Sequence, residues 1–482
     1  MSPENYCETD GKENSGMKKT RAMFRNTGGA HPRYRKHVTA ALPIEVMPRP
    51  KILYLSLAQH LGTPSKPLVN KGDAVVKGQP VGEPGGYVSS WLHSPVSGIV
   101  RAVEKMATVS DRTAPVIEIE TSGEERLHES CSPTPDWDSL SSRQLVEIIA
   151  QAGIIGMGGA GFPTHVKLNP PSGKTIDTLI INGAECEPYL TADHRLMVER
   201  AQSIWDGAMI IRKILGAKNV KVGIEDNKPD AIEAMQRVMS KGDDGVELVV
   251  LKTEYPQGAE KQLIYTMTGR EIPAGGLPMN IGTLVENVGT AAAIRDAIIE
   301  GLPLVSRVIT VSGDCIHTPK NILAPVGTRL YDLVNFCGGL MHHPAKIICG
   351  GPMMGITLAS LEPGINKTTS GLIFLAPSNI AYFTSMPCIA CGRCVAACPM
   401  RLMPCTLNEF IEAEDYEDAE SSNVMDCIEC GSCAFECPAH RPLVQHIKQG
   451  KARVMALRKA REIKSDNQRS KIRSQQEKHG NR

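Results

Sequence analysis

Aromatic residues are scarce in this chain: Phe, Trp and Tyr together make 4% of 482 residues. Proteins that stack nucleic-acid bases draw on such side chains, so that class is disfavoured. Opposite charges nearly cancel to a formal +1, leaving no global field toward nucleic acid or an anionic membrane. No apolar run approaches the ~18 residues that a membrane span requires. Lys18, Lys19 and Arg21 lead into no apolar stretch, so the polar leader does not read as a secretory signal and the expected address is a reducing cytoplasm.

Cysteine, by contrast, is both plentiful and ordered. Cys388-x2-Cys391-x2-Cys394-x3-Cys398-Pro399 is repeated as Cys427-x2-Cys430-x2-Cys433-x3-Cys437-Pro438. This double spacing is the ligand set of two [4Fe-4S] clusters, the fourth Cys of each run serving the other run's cluster. Cys388, Cys391, Cys394 and Cys437 are thus expected to hold one cluster, and Cys427, Cys430, Cys433 and Cys398 the second. Zinc prefers Cys pairs separated by a longer loop, and disulfides need an oxidising compartment, so neither fits as well. Adjacent clusters of this kind carry single electrons. Cys405 stands outside both sets, while Cys315, Cys337 and Cys349 read as small buried hydrophobes. Arg393, Arg401 and Arg441 lie close enough in sequence to offset cluster charge.

A chain this long calls for several domains, and the expected fold class is multidomain α/β and α+β. Residues 1–27 read as a disordered leader. Residues 28–123 alternate short β-type runs with glycine turns, as in a β barrel-sandwich hybrid of the biotinyl/lipoyl kind. Trp91-Leu92-His93-Ser94 replaces a modifiable lysine there, which points to a docking or scaffold module with His93 structural. After a Ser- and Pro-rich linker, Leu140, Leu145, Ile148 and Ile149 mark one face of a helix between Ser139 and Ala152. An α/β domain over 138–302 then alternates a strand ending at Asn182, a helix Asp193–Leu215, and strands Asn219–Ile224 and Val246–Leu251. Such alternation implies a parallel sheet with its ligand at the carboxyl ends of the strands.

Gly156-Met157-Gly158-Gly159-Ala160-Gly161 satisfies G-x-G-x-x-G literally, but a helix precedes it and Pro163 follows. The dinucleotide fingerprint requires a strand before and a helix after. What remains is a glycine loop whose backbone N–H groups can approach an anion or a flat ring. Residues 303–362 read as a β-grasp module, 380–447 as a double [4Fe-4S] ferredoxin-like α domain, and 448–482 as a basic tail. The acidic stretch from Glu409 to Glu420 reads as an exposed, solvated helix.

The segments GMGGAGFPTHVK, NGAECEP, YPQGAEKQL and TLVENVGT occur in that order. They resemble the flavin- and NADH-binding subunit of respiratory complex I. With the leading barrel-sandwich and the closing double ferredoxin, residues 28–450 resemble the RnfC family, subunits of the ion-pumping NADH:ferredoxin oxidoreductases known as Rnf complexes. The resemblance implies a non-covalent FMN cradled by Gly156, Gly158, Gly159 and Gly161, with Lys167 near its phosphate end. It places Asn182 on the flavin, Asn287 and Thr290 at the phosphate, and Phe162 stacked on NADH. Glu185, Glu187, Tyr255, Gly258 and Glu260 would line the nucleotide site. The pattern departs at Ala184 and Ala259, where the complex I proteins have acidic residues.

The function so implied is conversion between two-electron and one-electron carriers: NAD(H), FMN and two [4Fe-4S] clusters in series, with no protein acid needed to accept hydride. Implied partners are other Rnf-type subunits, including integral-membrane ones and a ferredoxin-like one, with ferredoxin reached indirectly and no nucleic acid. The implied location is peripheral, on the cytoplasmic side of the inner membrane. Two alternatives stay open, a soluble flavin/iron-sulfur cobalamin reductase and an electron-transfer scaffold without nucleotide binding.

Overall fold

The computed structural model describes residues 17–110, 112–380 and 385–480. Its centre is a five-stranded, all-parallel sheet in the order Lys18–Arg21, Val246–Leu251, Asn219–Glu225, Thr178–Gly183, Thr283–Asn287. The inner strands are continuous apolar runs because helices cover both faces, and Leu179, Ile181, Val220, Val222 and Leu248 are fully buried. The helix ahead of the glycine loop spans Ser142–Gln151 and starts in a capping box between Ser141 and Gln144. The long helix expected from Asp193 breaks at Arg200 into Ala192–Glu199 and Ala201–Leu215.

The first strand corrects one expectation. Lys18–Arg21 pairs in register with Glu247–Val250, so these four residues of the supposed leader form an edge strand of the central sheet. Met17, just before the strand, is buried in the main core, and the neighbouring strand supplies the backbone partners that local sequence could not reveal. Residues 1–16 lie outside the described residues.

The flanking modules are also less separate than linear boundaries suggest. The barrel-sandwich has a four-stranded sheet, ordered Ile52–Ser56, Thr113–Thr121, Gly98–Ala107, Ala74–Val75, and a three-stranded one, around a core of Leu53, Leu55, Val81, Val100 and Ile117. The β-grasp sheet has six strands and recruits Ile44–Val46 at one edge and Gly371–Leu375 internally, both outside 303–362. Cys315 and Cys337 are fully buried in its core, where burial pushes the Cys337 thiol up to about 12.

At the carboxyl terminus, one helix, Leu443–Gly480, runs without a break from the cluster domain into the basic segment. It packs on helices Pro404–Glu412 and Tyr416–Ser421 through Val454, Ile447, Leu407 and Ala419. The acidic connector is therefore two helices and not merely solvated: Glu420 accepts from Arg458 at 2.6 Å and from Arg461 at 2.9 Å. Among the described residues, no helix is long and apolar enough to cross a membrane.

Candidate functional site

Two central strands end side by side, with Asn182 paired to Asn287 in register. Asn182 donates from Nδ2 to the Gly258 carbonyl at 2.9 Å, tying the strand end to the loop after Val246–Leu251. Asn287 caps the helix Val288–Ile299, accepting the Gly289 and Thr290 amides at 2.7 and 3.3 Å. The Thr290 hydroxyl accepts the Met157 amide at 3.0 Å, which anchors the glycine loop over that helix start. A Cβ at Gly158 would come within 2.9 Å of the Asn287 Cβ, whereas one at Gly159 would meet no atom of the described residues within 4 Å. The loop is thus pressed onto Asn287 on one side and open on the other. Phe162, further along the loop, is partly exposed.

Lys167 reaches the same strand ends. Its ammonium lies 3.6 Å from both Glu260 and Glu286 and donates to the Val285 carbonyl. Burial alone would lower its pKa, but the two carboxylates outweigh that and raise it. Gly158, Lys167, Asn182, Gly258, Glu260, Asn287 and Thr290 are therefore drawn together at these strand ends, while Gly156, Gly159 and Phe162 continue the same loop and Gly161 packs against Gln59, His60 and Thr368.

Three other expected residues are engaged by neighbouring segments. Glu185 accepts the Asp193 and His194 amides at 2.7 and 3.1 Å, capping a helix. Glu187 accepts the Met353 and Met354 amides at 3.0 and 2.8 Å, gripping the β-grasp loop, and burial pushes its carboxyl up to about 7. Tyr255 is fully buried and donates to the Cys430 carbonyl at 2.7 Å. Each of the three is thus hydrogen-bonded to a segment other than the glycine loop.

Sequence reasoning missed several participants. Asp193 accepts from Asn287 Nδ2 at 2.7 Å, and burial beside Glu185 pushes it up to about 6. Buried Lys36 donates to the Glu185 carbonyl at 2.7 Å and to the Leu190 carbonyl. Lys367 donates to the Trp91 and Gly153 carbonyls at 2.7 and 2.8 Å, joining three modules, with burial depressing its pKa to about 7. A polar residue at a strand end or loop was the only available signal.

Cys398, Cys427, Cys430 and Cys433 line one small cavity together with Met400, Leu402, Val444 and Ile447. Among the described residues no three His, Cys, Asp or Glu side chains converge tightly enough to chelate a lone metal ion. Burial and the neighbouring thiols push Cys433 upward, and Cys427 to about 11. Cys394 and Cys437 pack together with Cys405, while Cys388 and Cys391 are exposed. Arg441 is engaged with Glu412 and the Met386 carbonyl, and Arg401 with Thr27. His93 is buried, and burial depresses its pKa to about 3, in keeping with a structural role.

Family models match four consecutive segments: the RnfC barrel sandwich hybrid domain over 24–124, the Nuo51 FMN-binding domain over 149–296, the SLBB domain over 308–357, and a 4Fe-4S dicluster domain over 380–438. A subunit of the proton-translocating ferredoxin:NAD(+) oxidoreductase complex of Clostridium ljungdahlii is 47% identical over 87% of this chain and 92% of its own length. The chain belongs to the RnfC family, subunits of ion-translocating ferredoxin:NAD(+) oxidoreductase complexes. Another RnfC relative, from the Na(+)-translocating complex of Acetobacterium woodii, is 44% identical over 90% of this chain and 97% of its own. A third, from the ion-translocating complex of Rhodobacter capsulatus, is 42% identical over 89% and 83%. The family's FMN-binding and dicluster domains coincide with the glycine-loop edge and the cysteine-lined cavity.

Proposed function

We propose that this chain is the peripheral electron-transfer subunit of a membrane-bound, ion-translocating ferredoxin:NAD oxidoreductase, exchanging electrons between NAD(H) and two [4Fe-4S] clusters through FMN. The observation that carries this reading is the buried junction at Tyr255. Its hydroxyl meets the Cys430 carbonyl, and three residues further on Gly258 is bonded to Asn182 at the flavin-side strand end. One loop therefore joins the two expected cofactor regions, with Tyr255 fully buried between them.

When bound, FMN supplies the conversion between a two-electron hydride carrier and one-electron metal centres. The glycine loop supports that group with backbone N–H donors, a fit favoured by the open space at Gly159 and the tight seat of Gly158 on Asn287. Lys167 contributes a cation at the same edge, and Asn182, Glu260 and Thr290 orient what enters. Cys398, Cys427, Cys430 and Cys433 would hold the cluster facing the flavin-binding domain. Cys388, Cys391, Cys394 and Cys437 would hold the other, on the side where Cys388, Cys391 and the apolar Ile389 and Met386 are exposed. That outer face suits a redox partner, which we assign to a ferredoxin-like or integral-membrane subunit on the cytoplasmic side of the inner membrane.

The barrel-sandwich precedes the ferredoxin unit, which favours this assignment over a soluble cobalamin reductase, where that module comes last. Anaerobic titration of the purified chain with NADH tests the proposal. Flavin bleaching followed by a reduced-cluster EPR signal is expected. A preparation with flavin and iron that shows neither change would leave only a scaffold.

A further inference from the structure

A second hollow opens at the opposite edge of the parallel sheet. It has about 260 Å³ of accessible space and lies at the carboxyl ends of Lys18–Arg21, Asn219–Glu225 and Val246–Leu251, where parallel α/β sheets place ligands. Arg21, Arg25, Lys252, Asp226, Glu254 and Phe24 line it, with Gln257 at its side. None of the flavin-side glycines does.

Its polar groups are unequally engaged. Arg21, Arg25 and Lys252 form no ion pair with any described residue, although they share one cleft. Asp226 already accepts the Thr253 amide and hydroxyl at 3.0 and 2.6 Å. Gln257 is 2% exposed; its Oε1 accepts from Asn26 at 2.9 Å, while its Nε2 has no partner among the described residues. A buried amide left without an acceptor is uncommon and calls for a ligand or water. Phe24 is 38% exposed and tilted against Tyr265 at 5.7 Å, leaving ring surface at the rim.

We propose that this cleft binds a phosphorylated nucleoside of the ADP type, separately from the flavin edge. Guanidinium and ammonium groups recognise phosphate oxygens through charge-assisted hydrogen bonds. Glu254 can accept from ribose hydroxyls, the Gln257 amide can donate to a phosphate or base oxygen, and Phe24 offers a face to the base. The loop carrying Gln257 continues into Gly258, so an occupant here would touch the same loop that closes the flavin side.

The test uses the full chain with its cofactors, purified without oxygen, and a fluorescent N-methylanthraniloyl ADP probe, with unlabelled ADP and inorganic pyrophosphate as competitors. One saturable site is expected, weakened about tenfold by Arg25→Ala or Lys252→Ala, the loss of one charge-assisted bond. Phe24→Leu is expected to weaken ADP but not pyrophosphate. Absence of saturable binding, unchanged affinity in both cation variants, or loss of the site in Phe162→Ala would overturn the proposal. Pyrophosphate competing as well as ADP would overturn the nucleoside assignment. NADH bleaching of the flavin is read on the same samples and is expected unchanged in the Arg25 and Lys252 variants, so failure here and failure of the electron-transfer reading are told apart.

Discussion

The Tyr255 hydroxyl donates to the Cys430 backbone carbonyl across 2.7 Å in a fully enclosed setting, joining the flavin-binding sheet to a cysteine loop 175 positions later. Burial and the nearby Glu187 carboxylate push the phenol strongly upward, so it stays protonated and remains a donor. Glu187 in turn holds the β-grasp loop, and a Cβ on Gly431 would come 3.0 Å from the Met353 carbonyl of that loop. Three modules meet at this point.

Tyr255→Phe keeps the ring and removes the donor, leaving a buried carbonyl unpaired. Stability should fall by about 1–3 kcal/mol, measured by denaturant unfolding. Stopped-flow reduction by NADH should show unchanged flavin bleaching but slower loss of iron-sulfur absorbance. An unaltered second phase would show that this contact does not govern transfer.

The crosswise grouping of thiols is open to an additivity experiment. Cys398→Ala should cost about four irons, the content of one [4Fe-4S] cluster, and adding Cys430→Ala should cost no more. Combining Cys398→Ala with Cys391→Ala should remove iron from both cages. If the Cys398/Cys430 pair instead strips all the iron, the grouping is wrong.

At the flavin edge, Asn287→Ala removes a helix cap and the bond to Asp193. A loss of about 1 kcal/mol in stability is expected from the cap. Flavin should be released more readily on gel filtration. Gly158→Ala forces a methyl against the Asn287 Cβ and should lower flavin content with little change in iron. Full flavin retention in both variants would refute the cradle.

Two buried groups set opposite pH slopes. Glu187 is raised from 4.5 to about 7, so the folded state holds its proton longer, and its contribution is fully present below pH 4.5 and lost as pH rises to about 7. Lys367 is lowered from 10.5 to about 7, so the unfolded state binds its proton more readily and stability grows between pH 7 and 10.5. Melting temperatures should therefore pass through a shallow minimum near neutrality. Glu187→Gln should flatten the acid limb and Lys367→Met the alkaline one. Identical profiles for the variants and the parent would contradict both assignments.

Some of this was plain in the residues alone. The two triplets Cys388, Cys391, Cys394 and Cys427, Cys430, Cys433 follow from short, local spacings, whereas the exchange of Cys398 and Cys437 between them is an expectation of the ferredoxin-type pattern. The rejection of a dinucleotide fingerprint was equally local, since the helix before the glycine loop and Pro163 after it can be read from the chain. The burial of Cys315 and Cys337 followed from residue type. Glu185, Glu187 and Tyr255 could be placed at strand ends, but not aimed. Their direction depends on the β-grasp loop, on the segment carrying Lys36 and on the cysteine loop, none of which is near them in sequence.

Sequence by itself therefore determined the order of modules, the parallel sheet and the spacing of the thiols, because periodicity and spacing act within a few residues. Tertiary structure alone decided that Lys18–Arg21 completes the central sheet, that Lys367 bolts three modules together, and that Tyr255 faces a cysteine loop and not solvent. Each of those depends on which distant backbone groups remain to be paired once the domains have packed, and a linear pattern carries no record of that.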